Sequence, residues 1–575
     1  MISIKSNNIL IIIYLLPFAS SAQGPVPSPK YINPMDIPVA LSGNFMEPRN
    51  NHFHSGLDMR TGGVEGVPVR AVADGWVSRI KISPWGYGKA VYIEHNDGLT
   101  TVYGHLSVLT GTVGAACADA QYRTKDFSID QYLEKNVLPL KQGEVFALSG
   151  NSGGSGGPHL HFEIRNGAQH ALDPQALGIK VKDTTQPEII GVRLYPLADS
   201  SRVGPYPARS LGFPVQGNSG KYGLKPGDAP IAYGTVGLAI HTLDRYDDSG
   251  AKFGVRKIEL YVDSVKAFSA NFDHIDFNTT RYCNAQLDGE LYKANKMEYH
   301  RCYKLPNNKL DIYGKEQLQG RITTQPGKEH HIRSVVIDAN GNRSELTFML
   351  KGATASESIT WPTTTPIGSL LRYDSENVMA DAGVRLTLPA LALYEDAYVH
   401  YERKDAPSNA ITPLHVLHDA HTPIQSYCTL ELDLPAELPQ ELRAKALIVS
   451  IGSGGKPSAE GGTVAGGAIT TKVRSFGTYT VMIDTVPPTI RNVDLRANMS
   501  GRSGFTLKIA DDLSGIDTFK ASINGNWILM DYDPKTNRLV HNFDTHTKAS
   551  GKKNLVVEVS DDRGNTSKFE MEFDR

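Results

Sequence analysis

At 575 residues the chain is too long for a single hydrophobic core, and three or four domains are expected. Its 59 basic and 61 acidic residues nearly cancel, which argues against nucleic acid or an anionic membrane surface as a partner. The 54 glycines and 25 tyrosines suit many short strands joined by turns, so the expected fold class is mainly β.

The N-terminus has the pattern of an export signal. Lys5 supplies a positive start, Ile9 to Leu16 form a short apolar run, and Pro17 breaks it before the small residues Ser20-Ser21-Ala22. The run is too short to span a bilayer comfortably. Residues 1–22 are therefore read as a signal peptide, and no transmembrane segment is expected in the mature chain. The expected location is the periplasm or cell envelope. Cys117, Cys283, Cys302 and Cys428 are too scattered for a zinc ribbon or a disulfide scaffold. Cys283 and Cys302 could pair in an oxidising compartment or remain buried thiols.

After the proline-rich lead at 24–29, the stretch Phe45 to Asp58 brings His54 and Asp58 four residues apart, with Gly56 between them and no helical apolar stripe. A tight loop entering a strand is expected there. His52 is read as structural, or at most as touching substrate. Val67 to Ile80 alternates like a hairpin, Gly86 to His95 reads as a strand, and Thr100 to Leu106 as another with His105 near its end. His95 is expected at the surface and Tyr103 in the packing. Thr110 to Asn136 forms an insertion, with a helical portion expected over Lys125 to Lys135.

Gly150 to Gly157 reads as a flexible loop running into the alternating segment His159-Leu160-His161-Phe162-Glu163-Ile164-Arg165. Residues two apart on a strand share a face, so His159 and His161 project together while Leu160, Phe162 and Ile164 enter an apolar layer. Imidazole and carboxylate are ordinary zinc ligands. His54, Asp58 and His161 would supply three and leave a fourth position for water, the mark of a catalytic rather than a structural site. The glycine loop has no Gly-Lys-Ser/Thr ending and no βαβ context, which argues against phosphate binding.

The ordered motifs His54-x-x-x-Asp58, Tyr103-Gly104-His105-Leu106 and Gly157-Pro158-His159-Leu160-His161-Phe162 resemble the lysostaphin-type (LytM-like) zinc metallopeptidases over roughly residues 40 to 175. The resemblance implies a compact antiparallel β domain. It also implies one Zn2+ per chain held by His54, Asp58 and His161, with His105 and His159 as the unliganded catalytic pair. Peptidoglycan stem peptides are the implied substrate. In this family the connection after His105 is usually shorter, so the 110–136 insertion could border the groove or cover it, although a plain surface elaboration is the favoured reading.

Beyond residue 180 strand-like runs recur, including 256–262, 331–338, 384–388, 398–403 and 427–434. Asp183-Thr184-Thr185-Gln186-Pro187 is repeated as Asp484-Thr485-Val486-Pro487-Pro488. Asp247 to Gly250 is echoed by Asp511 to Gly515, and Asp338 to Ser344 by Asp561 to Ser567. The copies resemble immunoglobulin-like β-sandwiches of bacterial exported enzymes. Their aspartates suit tight turns and form no complete calcium loop in sequence. The expected organisation is a metallopeptidase domain at 23–180, β-sandwiches at 181–352 and 484–575, and a β-rich domain at 353–483 between them. The expected function is an exported zinc endopeptidase cutting peptidoglycan cross-links, with the sandwiches offering surfaces to envelope proteins. A silent activator of other wall hydrolases and an envelope protease acting on proteins are the competing readings.

Overall fold

The computed structural model describes residues 31–575 except 206–209, 248 and 363–366. The expected signal peptide and the proline-rich lead lie outside the described residues. Among the described residues strands account for 46% and helices for 7%, which makes the fold mainly β. Among the described residues no helix is long and apolar enough to cross a membrane.

The main sheet of the N-terminal part is antiparallel. Its spatial order is Leu41–Gly43, Leu57–Arg60, His159–Arg165, Thr100–Leu106, Lys89–His95, Gly75–Ile82 and Ile129–Tyr132. Leu160, Phe162 and Ile164 are fully buried on one face. Leu160 lies opposite Met59, and Phe162 opposite Leu57 and Tyr103, so the apolar layer crosses three strands. Burying each such side chain contributes about 1.5–3 kcal/mol. A slip of one residue would drive the histidines into that layer, so the burial fixes the register.

Four expectations are corrected here. Val67 to Ile80 is not a hairpin: Pro68–Arg70 pairs with Val145–Leu148 in a separate sheet, while Gly75–Ile82 pairs with Lys89–His95. The connecting Ala71-Val72-Ala73 is buried, so it passes through the core instead of turning at the surface. His95 is also buried, its ring bonded to the Asp74 carbonyl and to Thr101 Oγ1 at 3.0 and 2.8 Å. The helix of the insertion is Gly111–Thr124, not 125–135. Val113, Cys117, Ala120 and Gln121 give it a buried face at helical spacing, and Lys125 in the left-handed conformation ends it. Ile129–Tyr132 then joins the sheet edge. Finally, the first part of the glycine loop is tethered. Gly154 N–H donates to the Gly86 carbonyl at 2.7 Å, and Ser152 Oγ donates to the Leu106 carbonyl at 2.7 Å.

In the next unit a twelve-stranded sheet is interrupted by short helices Thr280–Tyr282, Cys283–Gln286 and Gly289–Asn295. These hold the loop that leads to His54. Phe53 N–H donates to Thr280 Oγ1, Asn284 Nδ2 to Asn51 Oδ1, and Tyr292 OH to the Pro48 carbonyl, all at 2.9–3.1 Å. All four cysteines are buried free thiols, so Cys283 and Cys302 are not paired. Residues 371–483 have a separate core between two five-stranded sheets. The expected strand at 398–403 divides at His400 into Ala397–Val399 and Tyr401–Lys404, which join different sheets.

The last unit consists of two four-stranded sheets, and its apolar core is continuous with those of the first two units. Tyr122 of the inserted helix stacks on His546 at 3.8 Å and bonds to Asp544. Lys89 pairs with Asp531, and Lys535 reaches the Ser155 carbonyl at 3.2 Å. The insertion thus docks the C-terminal unit beside the glycine loop. The repeat also needs one adjustment: the counterpart of Asp511 is Asp244, since each directly follows a strand, Gly504–Ala510 and Thr235–Leu243. Asp247 instead accepts the Thr184 amide at 2.7 Å.

Candidate metal centre

His54 sits in the loop between His52–Phe53 and Leu57–Arg60, and Asp58 in the second of these strands lies directly opposite His161. The loop crosses the neighbouring strand so closely that a Cβ on Gly56 would lie 2.3 Å from the Phe162 carbonyl oxygen. Only glycine allows that approach. His54 Nε2 is then 3.0 Å from Asp58 Oδ1 and 3.1 Å from His161 Nδ1, and His161 Nδ1 is 2.9 Å from Asp58 Oδ1. All three residues are buried.

The outer ring nitrogens settle the tautomers. His54 Nδ1 faces the Asn44 carbonyl at 2.7 Å, and His161 Nε2 faces Glu163 Oε1 at 2.8 Å. Both partners are pure acceptors, so each outer nitrogen keeps its proton and each inner nitrogen is the one that offers a lone pair inward once the ring is neutral. Two lone pairs and a carboxylate oxygen thus converge on one point, which a cation satisfies and neutral water does not. The donor set fits zinc, with the outer contacts fixing ligand orientation.

Electrostatics agree. Burial alone would raise Asp58, but His54, His159 and His161 hold it well below the usual carboxylate range. Burial would lower His161, yet its bonds to Asp58 and Glu163 push it up to about 9. In the metal-free protein this imidazolium contributes stability that is complete below its unfolded value of 6.5 and is lost as pH rises through about 9. Zinc must displace that proton. Zinc affinity is therefore expected to rise about tenfold per pH unit from 7 towards 9, with about one proton released per ion. Chelator competition at several pH values measures this, and a flat profile contradicts it.

His105 and His159 stand beside His54, Asp58 and His161, their rings 4.8 Å apart. His159 Nε2 lies 3.4 Å from Asp58 Oδ1, slightly outside the ligand set. The Nδ1 atoms face the Ser152 carbonyl for His105 and the Gly157 carbonyl for His159, each at 2.8 Å, which leaves both Nε2 atoms as acceptors. Burial, then the neighbouring His161 and His159, push His105 down to about 3, so it stays neutral. His105 has φ 58°, a left-handed backbone uncommon outside glycine and worth about 1 kcal/mol or more of strain. Tyr103 is wholly buried in the apolar layer, and His52 is exposed with Nδ1 on the Asn50 carbonyl.

Several supporting residues were not read from the sequence. Glu163, with no exposure, bonds to His161, Ser55 Oγ, Tyr87 OH and Arg165. Tyr87 stacks on His161, with centroids 5.0 Å apart. Arg49 Nη2 donates to Asp58 Oδ2 at 2.9 Å. Asn44 exchanges two hydrogen bonds with the Gly254 backbone, tying the carbonyl that orients His54 to the second unit.

Residues 52–174 match the Peptidase family M23 model. This stretch is an M23 domain. Residues 368–484 match a Zu5-like domain, which covers most of the β-rich domain expected at 353–483. The M23 domain is similar to the DD-carboxypeptidase/endopeptidase Mpg of Neisseria meningitidis serogroup B, at 34% identity over 134 residues, or 23% of this chain and 25% of the relative. It is also similar to the murein hydrolase activator EnvC of Escherichia coli K12, at 34% over 119 residues, or 20% of this chain and 22% of the relative. The chain thus matches about a quarter of the length of these curated relatives. A zinc-containing peptidase from Vibrio cholerae aligns with 27% of this chain and 41% of its own, at 26% identity and a TM-score of 0.19.

Proposed function

We propose that the chain is an exported zinc metalloendopeptidase that hydrolyses peptide cross-links of peptidoglycan. The observation that carries this reading is the convergence of His54 Nε2, Asp58 Oδ1 and His161 Nδ1, each 2.9–3.1 Å from the others, beside two further imidazoles. A zinc ion bound there polarises a peptide carbonyl and lowers the pKa of its water. The remaining chemistry belongs to His105 and His159. Nε2 of one takes the proton released by the attacking water and passes it to the leaving amine as the C–N bond breaks, while the other ring, charged by a proton from solvent, donates its Nε2–H to the developing oxyanion. The carbonyl contacts at Nδ1 keep both rings in the tautomer this requires.

The surroundings of His159 support the substrate class. A Cβ at Gly156 or Gly157 would meet nothing within 4 Å, so the backbone beside His159 is open to a close-lying chain. That suits an extended, slim peptide with small residues, as peptidoglycan stems are. Export rests on the pattern of residues 1–22. In the same reading the repeats at 181–352 and 484–575 are immunoglobulin-like units, with boundaries at Asp183 and Asp484 and surfaces available to envelope proteins.

The zinc-loaded protein is expected to carry about one zinc per chain and to convert cross-linked muropeptide dimers to monomers, whereas His54→Ala should not. Mass analysis of the products decides. Intact dimers alongside cleavage of a protein substrate would make it an envelope protease. If neither is cut, the activator reading replaces this one.

A further inference from the structure

Asp183, Asp244 and Asp338 meet outside the M23 site, with ligand oxygens within 4.8 Å of one another. They are 7%, 1% and 1% exposed. Asp183 starts the linker out of the M23 domain, Asp244 follows the Thr235–Leu243 strand, and Asp338 opens the turn before Arg343–Gly352. Two of them are hydrogen-bonded. Asp183 Oδ1 accepts the Thr185 amide at 2.9 Å, while Asp338 accepts the amides of Asn340 and Asn342 and the Asn342 side chain at 2.8–2.9 Å. Asp244 differs: neither of its carboxylate oxygens has a hydrogen-bond partner. The Arg245 amide beside it lies outside hydrogen-bond geometry.

Nearby cations are committed elsewhere, Lys182 to Asp247 at 3.6 Å and Arg245 to Glu188 at 2.7 Å. Three buried carboxylates without a counter-charge repel one another, and an unpaired carboxylate at 1% exposure carries a large desolvation cost. The group must hold either a proton or a metal ion.

We propose that Asp183, Asp244 and Asp338 bind a calcium ion that staples the linker leaving the M23 domain to the second β unit. The donors are all oxygen, with neither imidazole nor thiolate, which selects a hard cation. Oxygens within 4.8 Å of one another can share a centre at the about 2.3–2.6 Å typical of calcium. Three carboxylates supply up to six oxygens, and water completes the shell. The sequence concealed the site because its ligands are about 60 and 90 residues apart, unlike those of a continuous calcium loop.

The repeat provides an internal control. Asp484, Asp511 and Asp561 form the matching group, but there Asp511 accepts the Leu513 and Gly515 amides at 3.1 and 2.8 Å. Its third carboxylate is thus satisfied without an ion.

The test uses the full-length zinc-loaded protein, dialysed against calcium chloride or magnesium chloride and analysed for bound metal and thermal midpoint. One calcium per chain is expected, with a midpoint that rises with calcium concentration. Asp244→Asn should weaken calcium binding at least about tenfold and remove the shift, whereas Asp511→Asn should leave both intact. No calcium uptake by the wild type overturns the proposal, and a more stable Asp244→Asn protein would then identify the occupant as a proton. Magnesium uptake equal to that of calcium overturns the ion assignment. If Asp244→Asn does not fold, the wild-type dialysis decides alone.

Discussion

His161→Ala is expected to lose both zinc and turnover, while His159→Ala, two residues along the same strand, keeps most of its zinc and loses about 10²–10⁴-fold in rate. The two side chains share a face of His159–Arg165 and differ in what their nitrogens meet. His161 places Nδ1 at 2.9 Å from Asp58 Oδ1 and 3.1 Å from His54 Nε2, so its removal takes one of three convergent donors. His159 Nε2 stands at 3.4 Å from Asp58 while its Nδ1 is held by the Gly157 carbonyl, so its removal leaves the donors in place. Zinc content after dialysis, read beside muropeptide turnover, separates the roles. Equal zinc loss in the two variants would make His159 a ligand and leave His105 alone to handle protons.

Much of this site was legible because it depends on local periodicity. Alternation along 159–165 put the histidines on one face and Leu160, Phe162 and Ile164 on the other, and the convergence of His161 with Asp58 and His54, away from the apolar layer, agrees. The spacing of His54 and Asp58 about Gly56 pointed to a loop entering a strand, which the close approach to Phe162 explains. Long-range pairing was harder to read. The apparent hairpin at 67–80 failed because its two strands find partners in different sheets, a choice made by burial of Ala71-Val72-Ala73. The inserted helix is hard to place because its buried face is built of small residues over 111–124, a weaker local pattern than the charges of 125–135. The calcium cluster was hidden for the same reason, since contacts between distant segments leave no mark in local spacing.

One signal was present and unread: the alternation continues past the histidines to Glu163 and Arg165. Glu163→Gln is therefore expected to weaken zinc binding about 10–100-fold and to destabilise the fold by about 3–5 kcal/mol. Glu163 has no exposure and accepts from His161 Nε2 at 2.8 Å and from Arg165 Nη2 at 2.6 Å. Its charge orients the ligand and offsets a guanidinium that is only 8% exposed. A glutamine keeps the shape but loses the charge, so Arg165 is left buried without an anion, and the His161 proton faces a neutral oxygen that makes it a weaker donor to metal. Pairing Glu163→Gln with Arg165→Met should recover a large part of the lost stability while leaving zinc binding weak, because the second change removes the stranded charge but not the defect at His161. Urea unfolding and zinc competition on the two single variants and the double variant measure these effects separately. If the double variant regained full zinc affinity, Glu163 would matter only as the partner of Arg165, and the orientation of His161 would have to come from Asp58 and the stacked ring of Tyr87.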